Sequence, residues 1–181
     1  MRYMVGIFLV GGLLWGSSLS KLFKYYENQS YDKGCDYGAK YYTRNINNEK
    51  YLTLYGLSCL ETNHIERVAK PMLALSKSAS SRENASYFAT IILQKQLLKQ
   101  RLMDGKELGD LRLPKTNFVL SRIFEMFVNK EYTQKGDVYY LDDPSKKDIH
   151  YRVYIKKSKK RDYMVIDIYQ EDRFTKRYRY N

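Results

Sequence analysis

The chain has 181 residues, enough for one domain or for a helical unit with a small appendage. A hydrophobic share of 44% with a charged share of 29% excludes disorder over most of its length. The formal net charge of +12 directs attention to anionic partners.

Met1 to Ser20 reads as a secretory signal. Arg2 is the positive start, Met4 to Trp15 is a charge-free apolar run of 12 residues, and Gly16-Ser17-Ser18-Leu19-Ser20 offers small residues to a signal peptidase. The run falls short of the roughly 20 residues that span a bilayer, and no Cys stands directly after it as a lipoprotein requires. The expectation is a periplasmic or secreted protein, with the leader (residues 1–20) removed near Ser18 or Ser20.

Residues 21–134 carry helical periodicity. A helix is predicted over Tyr31 to Arg44, then one over Glu49 to Leu60 capped by Asn47 or Asn48, with Leu52, Tyr55 and Cys59 at helical spacing. Asn63 with Glu66 opens a third, which Pro71 should kink or interrupt. Ser80-Ser81-Arg82-Glu83 reads as a capping box ahead of the longest helix, Ser81 to Met103, ended by Asp104-Gly105. Thr116 or Asn117 starts a fifth, whose Leu120, Ile123, Phe124 and Phe127 form a core stripe.

Over residues 135–181 the period becomes two. Strands are predicted at Asp137 to Leu141, Ile149 to Lys156, Met164 to Tyr169 and Arg173 to Tyr180. The fold class is therefore α+β: about five helices in an N-terminal bundle, followed by a four-stranded antiparallel β-meander with one packed and one wet face.

Cys35 and Cys59 are the only cysteines, and in an oxidising compartment they make one bridge. Helix pairs with Gly38-Ala39 and Tyr55-Gly56-Leu57 at their contacts, and cysteines joining adjacent helices, resemble the Sel1-like and tetratricopeptide class of helical hairpins over residues 30–103. No second copy of a repeat is evident. The resemblance implies an interaction scaffold and assigns no residue a function.

Catalytic and metal signatures are missing from the sequence. His64 and His150 have no metal-ligand spacing, and neither G-x-S-x-G nor a phosphate-cradling glycine loop occurs. No cofactor is expected. Glu61 with Glu66, or Asp142 with Asp143, are candidate pairs, by spacing alone, for a carboxylate-dependent envelope hydrolase.

One surface feature stands out. From Ser145 to Asn181 there are 12 Lys and Arg against 5 Asp and Glu, a net of +7. Arg152, Lys156, Lys157, Lys159, Lys160, Arg161, Arg173, Arg177 and Arg179, interleaved with Tyr154 and Tyr163, are the candidate contacts to an anionic partner, within a basic and aromatic set that also takes in Lys176, Tyr169, Tyr178 and Tyr180. That partner is an anionic envelope component, an acidic protein or a membrane surface. A single-strand nucleic-acid binder has the same composition, but the export signal disfavours it, because nucleic acid is scarce outside the cytoplasm. A lysine-rich hairpin also protects a sheet against edge-to-edge aggregation. The sequence therefore reads as an exported, non-enzymatic binding or scaffold protein of the cell envelope.

Overall fold

A computed structural model describes residues 17–181. The element order is α1 (Ser18–Glu27), α2 (Tyr31–Lys40), a 3-10 turn (Thr43–Asn45), α3 (Glu49–Glu61), α4 (Ile65–Ala74), α5 (Ala79–Asp104) and α6 (Val119–Val128). Five strands follow: β1 (Thr133–Lys135), β2 (Val138–Asp142), β3 (Ile149–Lys156), β4 (Tyr163–Gln170) and β5 (Arg173–Tyr180). The class is α+β, with six α-helices among the described residues and one antiparallel sheet in the order β1-β2-β3-β4-β5. The extra strand, β1, is three exposed residues long, too short to alternate, and so gives no periodic signal. It pairs with β2 through a two-residue turn at Gly136, whose φ of 59° favours glycine.

The leader expected over residues 1–20 lies outside the described residues up to Gly16. Its last four residues do not. Ser17 Oγ accepts a hydrogen bond from the Ser20 N–H and caps α1. Ser18 Oγ donates to Asn45 Oδ1 at 2.7 Å, and Leu19 packs on the core beside the fully buried Leu22. Cleavage after Ser18 would remove the cap, and cleavage after Ser20 would remove Leu19 as well. Among the described residues no helix is long and apolar enough to cross a membrane.

The helical unit closes on small residues and one covalent link. Cys35 of α2 is bonded to Cys59 of α3, which fits an oxidising, exported location. Gly38 and Gly56 allow close helix approach: a Cβ on Gly38 would stand 2.3 Å from the Tyr55 ring, and one on Gly56 2.4 Å from the Phe88 ring. The Tyr51 hydroxyl, deep between α2 and α3, donates to the Tyr37 and Gly38 carbonyls.

Helix ends differ from the expectation where tertiary contacts intervene. α5 starts two residues before the expected Ser81. Ser78 is its cap, accepting from the Ser81 N–H, while the Glu49 carboxylate accepts from the Lys77 and Ser78 N–H groups. Burial alone would raise the Glu49 pKa, but those hydrogen bonds, with one from Ser81, hold it down at about 2. α4 runs on through Pro71 to Ala74: the proline forfeits its one hydrogen bond back to the preceding turn, yet the last turn still closes, with the Leu75 N–H donating to the Pro71 carbonyl at 3.1 Å. Its cap position is His64, not Asn63, which adopts φ 62° ahead of the helix.

The inner face of the sheet completes the core. Tyr139, Leu141, Tyr151, Val153, Met164, Ile166 and Tyr180 are buried in one cluster with Phe88, Ile91 and Leu98 of α5 and Leu120, Ile123, Phe124 and Phe127 of α6. The Tyr180 hydroxyl reaches Asn63 Oδ1 at 3.4 Å, tying the last strand to the helical unit. In β5 the expected alternation breaks. A register shift pairs Tyr169 with Phe174, and this bulge carries Phe174 to the wet face, 53% exposed.

Two stability outcomes follow from this packing. The Cys35–Cys59 bridge spans 24 residues, so chain entropy assigns it about 3.5 kcal/mol. Denaturant titration of a C35S/C59S variant should show that loss, and the wild-type chain should take up alkylating reagent only after reduction. Gly56→Ala should cost about 1–3 kcal/mol by overpacking Phe88; an unchanged midpoint would show that α3 and α5 are less tightly engaged.

Candidate functional site

The basic residues divide into two populations. Lys156, at the end of β3, and the loop residues Lys157, Lys159, Lys160 and Arg161 are all exposed. The loop is held at its base, where the Ser158 N–H donates to Asp162 Oδ1 at 3.1 Å. Five cations thus share one hairpin, with Asp162 as the only carboxylate within it. None of the five takes part in a salt bridge among the described residues.

The outer face of the sheet can be followed in rows set by strand register. Lys156 lies opposite Tyr163. The next row is Val138, Tyr154, Val165 and Arg179, and then come Tyr140, Arg152, Asp167 and Arg177. Asp142, His150, Tyr169 and Phe174 form the last. Lys156, Lys157, Lys159, Lys160, Arg161 and Tyr163 are therefore neighbours, with Tyr154 and Arg179 one row further in. Arg173 is not among them: it sits by the β4–β5 turn, at the far end of the strands, about 23 Å away at the usual rise per residue.

Arg152 and Arg177 are held by the protein itself. Arg177 makes a two-pronged pair with Asp167, Nε to Oδ1 at 2.6 Å and Nη2 to Oδ2 at 2.8 Å, and the Tyr154 hydroxyl donates to the same carboxylate. Hydrogen bonding to Asp167 raises the Arg177 pKa still further, so this cation is permanent. Arg152 lies over the Tyr169 ring at 4.2 Å and the Tyr140 ring at 5.6 Å. Lys135 sits on Tyr140, and His150 stacks on Tyr169 with the planes 4° apart. The result is a ladder of alternating cations and rings across β1 to β4. Lys135, Tyr140, His150 and Phe174 were not among the expected contacts, whereas the expected Lys176, Tyr178 and Tyr180 pair with Ile168, Ile166 and Met164 on the other face of the sheet, where Tyr180 is buried in the core. Alternation places the residues of β2 to β4 on the wet face, but the cross-strand register that joins them is not written in any one strand.

The carboxylate candidates serve other ends. Asp143 is buried between α6 and the β2–β3 turn. Arg122 donates to its Oδ2, as does the Tyr151 hydroxyl at 2.5 Å, and Oδ1 accepts from Ser145 Oγ and the Ser145 and Lys146 N–H groups. Burial would raise its pKa, but hydrogen bonds from Tyr151, Ser145 and Arg122 outweigh it and leave the carboxyl at about 2. Such a group neither gives nor takes a proton near neutral pH. Its neighbour Asp142 points to solvent on the opposite face. Glu66 is 3.4 Å from His64 Nδ1 at the rim of a polar cleft of about 450 Å³, which Asn63, Tyr163 and Arg179 also line; Glu61 is not part of it. Among the described residues no three His, Cys, Asp or Glu are grouped closely enough to hold a metal ion.

A larger hollow lies elsewhere among the described residues. It is an apolar groove of about 820 Å³ where the N-terminal ends of α1, α3 and α5 meet, lined by Ser17, Leu19, Phe23, Leu54, Ser78 and Ser81 among others. A smaller cleft at the other end of α5 brings Leu102 and Met103 against Ile155, Lys157 and Asp162.

No protein-family model, curated protein sequence or solved structure matches this chain.

The Asp143 network makes a pH-dependent contribution to stability. Its folded pKa lies below the ordinary carboxylate value of 3.8, so the contribution is full above that value and is lost as pH falls toward about 2. Asp143→Ala should lower stability by about 3 kcal/mol at pH 7 and flatten the acid limb of the stability profile between pH 4 and 2. An acid limb identical to that of the wild type would show that another group governs it.

Proposed function

We propose that the protein is an exported, non-enzymatic binding protein of the cell envelope, and that its C-terminal sheet and β3–β4 hairpin meet an anionic partner. The observation that carries this reading is the hairpin: five exposed cations on six consecutive positions, unpaired with any carboxylate among the described residues. A cluster of that density on a fixed turn raises the local concentration of polyanions and speeds their encounter. Arg179, Tyr154 and Tyr163 extend the contact toward the sheet; Arg177 is already neutralised by Asp167, while Arg152, stacked on Tyr140 and Tyr169, adds positive potential to the face. The disulfide supports an oxidising compartment, and a second role for the helical unit, docking a protein, rests on the sequence resemblance of residues 30–103 alone. Membrane export with removal of the leader near Ser18 or Ser20 belongs to the same reading, although the folded domain draws on Ser17 and Leu19.

The hydrolase alternative loses ground because Asp143 is committed to Arg122 and Tyr151. Single-strand nucleic-acid binding loses ground on geometry. Stacking a base needs a free ring face, and Tyr140 and Tyr169 give theirs to Lys135, Arg152 and His150.

The test is salt-gradient elution from an immobilised polyanion such as polyphosphate. Changing Lys156, Lys157, Lys159, Lys160 and Arg161 together to Gln should bring elution to clearly lower salt and flatten its salt dependence, with the thermal midpoint unmoved because all five side chains are solvated. Elution at the wild-type position would reject the hairpin as the contact.

A further inference from the structure

We infer that the free edge of β5 accepts an extended acidic peptide segment as a sixth strand of the sheet. The site lies apart from the β3–β4 hairpin, works through main-chain groups in place of lysines, and holds or fails independently of the polyanion contact.

Sheet order makes β5 an edge strand: it pairs with β4 on one side and, among the described residues, with no strand on the other. At eight residues it is as long as β3 and β4, whereas the opposite edge, β1, has only three. Every second residue of an edge strand turns its N–H and C=O to the free side. The bulge tells which residues these are. The Thr175 hydroxyl donates to the Ile168 carbonyl, so that carbonyl faces β5, and the partner of Ile168, Lys176, faces β4. Alternation then turns the main chain of Arg177 and Arg179 outward. These two residues, with Asn181, line the polar cleft of about 450 Å³ whose far wall is the α3–α4 turn with Asn63, His64 and Glu66. The hydrogen bond from Tyr180 to Asn63 fixes that turn beside the strand, so open space runs along the edge from Arg177 onward.

The chemistry of the edge selects its occupant. A second copy of β5 is barred by charge. An antiparallel pairing centred on position 176 sets Lys176 against itself and Arg173 against Arg179. One centred on 177 sets Arg177 against itself, and one centred on 178 sets Arg177 against Arg179. Like charges directly opposite each other destabilise a strand pair, and an acidic strand reverses each of these contacts. Arg177 is engaged by Asp167, but Arg179 is exposed and takes part in no salt bridge among the described residues. Between them the half-buried Tyr178 offers its ring to an apolar residue on the inner side. The bulge at Thr175 interrupts the edge and leaves Lys176 to Asn181, the length of an ordinary strand. The partner is thus a segment of about six residues in which carboxylates alternate with β-branched or aromatic residues.

The test uses the purified protein and a fluorescent peptide of alternating Glu and Val, with binding followed by anisotropy and amide exchange by NMR. The peptide should slow exchange of the Arg177 and Arg179 N–H groups roughly tenfold or more. Arg179→Glu, at an exposed and unpaired position, should weaken binding about tenfold and leave the thermal midpoint unmoved. Two further peptides carry N-methyl groups on every Glu or on every Val. Strand addition predicts that one of these sets abolishes binding and the other keeps it within about twofold, because alternate residues face β5. Equal binding of both methylated peptides, or unchanged exchange at Arg177 and Arg179, would overturn strand addition. The variant with Gln in place of Lys156, Lys157, Lys159, Lys160 and Arg161 should bind the peptide nearly as the wild type does while losing polyphosphate, which separates failure of this site from failure of the hairpin. A dimer of the protein that the peptide disperses would place a second copy on the edge and overturn the acidic segment as its occupant.

Discussion

α5 is the element on which the rest of the structure depends. Its Phe88 packs on Gly56 of α3, and its Ile91 and Leu98 belong to the same buried cluster as the inner face of the sheet. One continuous apolar face thus serves two layers that are each too thin to fold alone. The same helix sets the distance between the groove at its first turn and the hairpin at its last. Gly56 of α3 packs directly on its Phe88, and the disulfide, the Gly38 contact and the Tyr180–Asn63 hydrogen bond tie α2 and β5 to α3 and the residues just after it.

On the sheet, opposite charges and rings have been used to make cations rigid where they are numerous. Asp167, 2% exposed, fixes Arg177, while Tyr140 and Tyr169 fix Arg152. These groups keep their positive charge but give up their freedom, so they shape the potential of the face without being its adaptable part. The hairpin is the converse. Its lysines are solvated and mobile in side chain, and their cost of ordering on a partner is spread over many weak contacts. A rigid cationic floor beside a compliant cationic loop is a reasonable design for holding a polymer loosely.

Much of this was legible in the sequence, and the exceptions have physical causes. The α+β division, the pairing of Cys35 with Cys59, the alternation in β3 and β4 and the helical stripe of α6 follow from periodicity and residue count, which are local signals. β1 escaped because three exposed residues carry no period. The α5 cap moved to Ser78 because Glu49, 29 residues earlier in the chain, satisfies the N–H groups just ahead of it. The outward turn of Phe174 depends on a bulge formed only when β5 meets β4. At the candidate site the charge cluster was plain from composition, but sequence treated Arg173 and Arg177 as equals of Lys159. Only the register shows that Arg173 lies at the wrong end and that Arg177 is already engaged by Asp167.

The central claim, that anion binding is localised to one end of the molecule, is most directly tested by lysine footprinting. The full chain would be acetylated with a water-soluble reagent, with and without polyphosphate, and each lysine's modification read by mass spectrometry. The account predicts protection of Lys156, Lys157, Lys159 and Lys160, with Lys50 and Lys77 near the groove modified at the same rate in both samples. Uniform protection, or protection centred on Lys50 and Lys77, would contradict it.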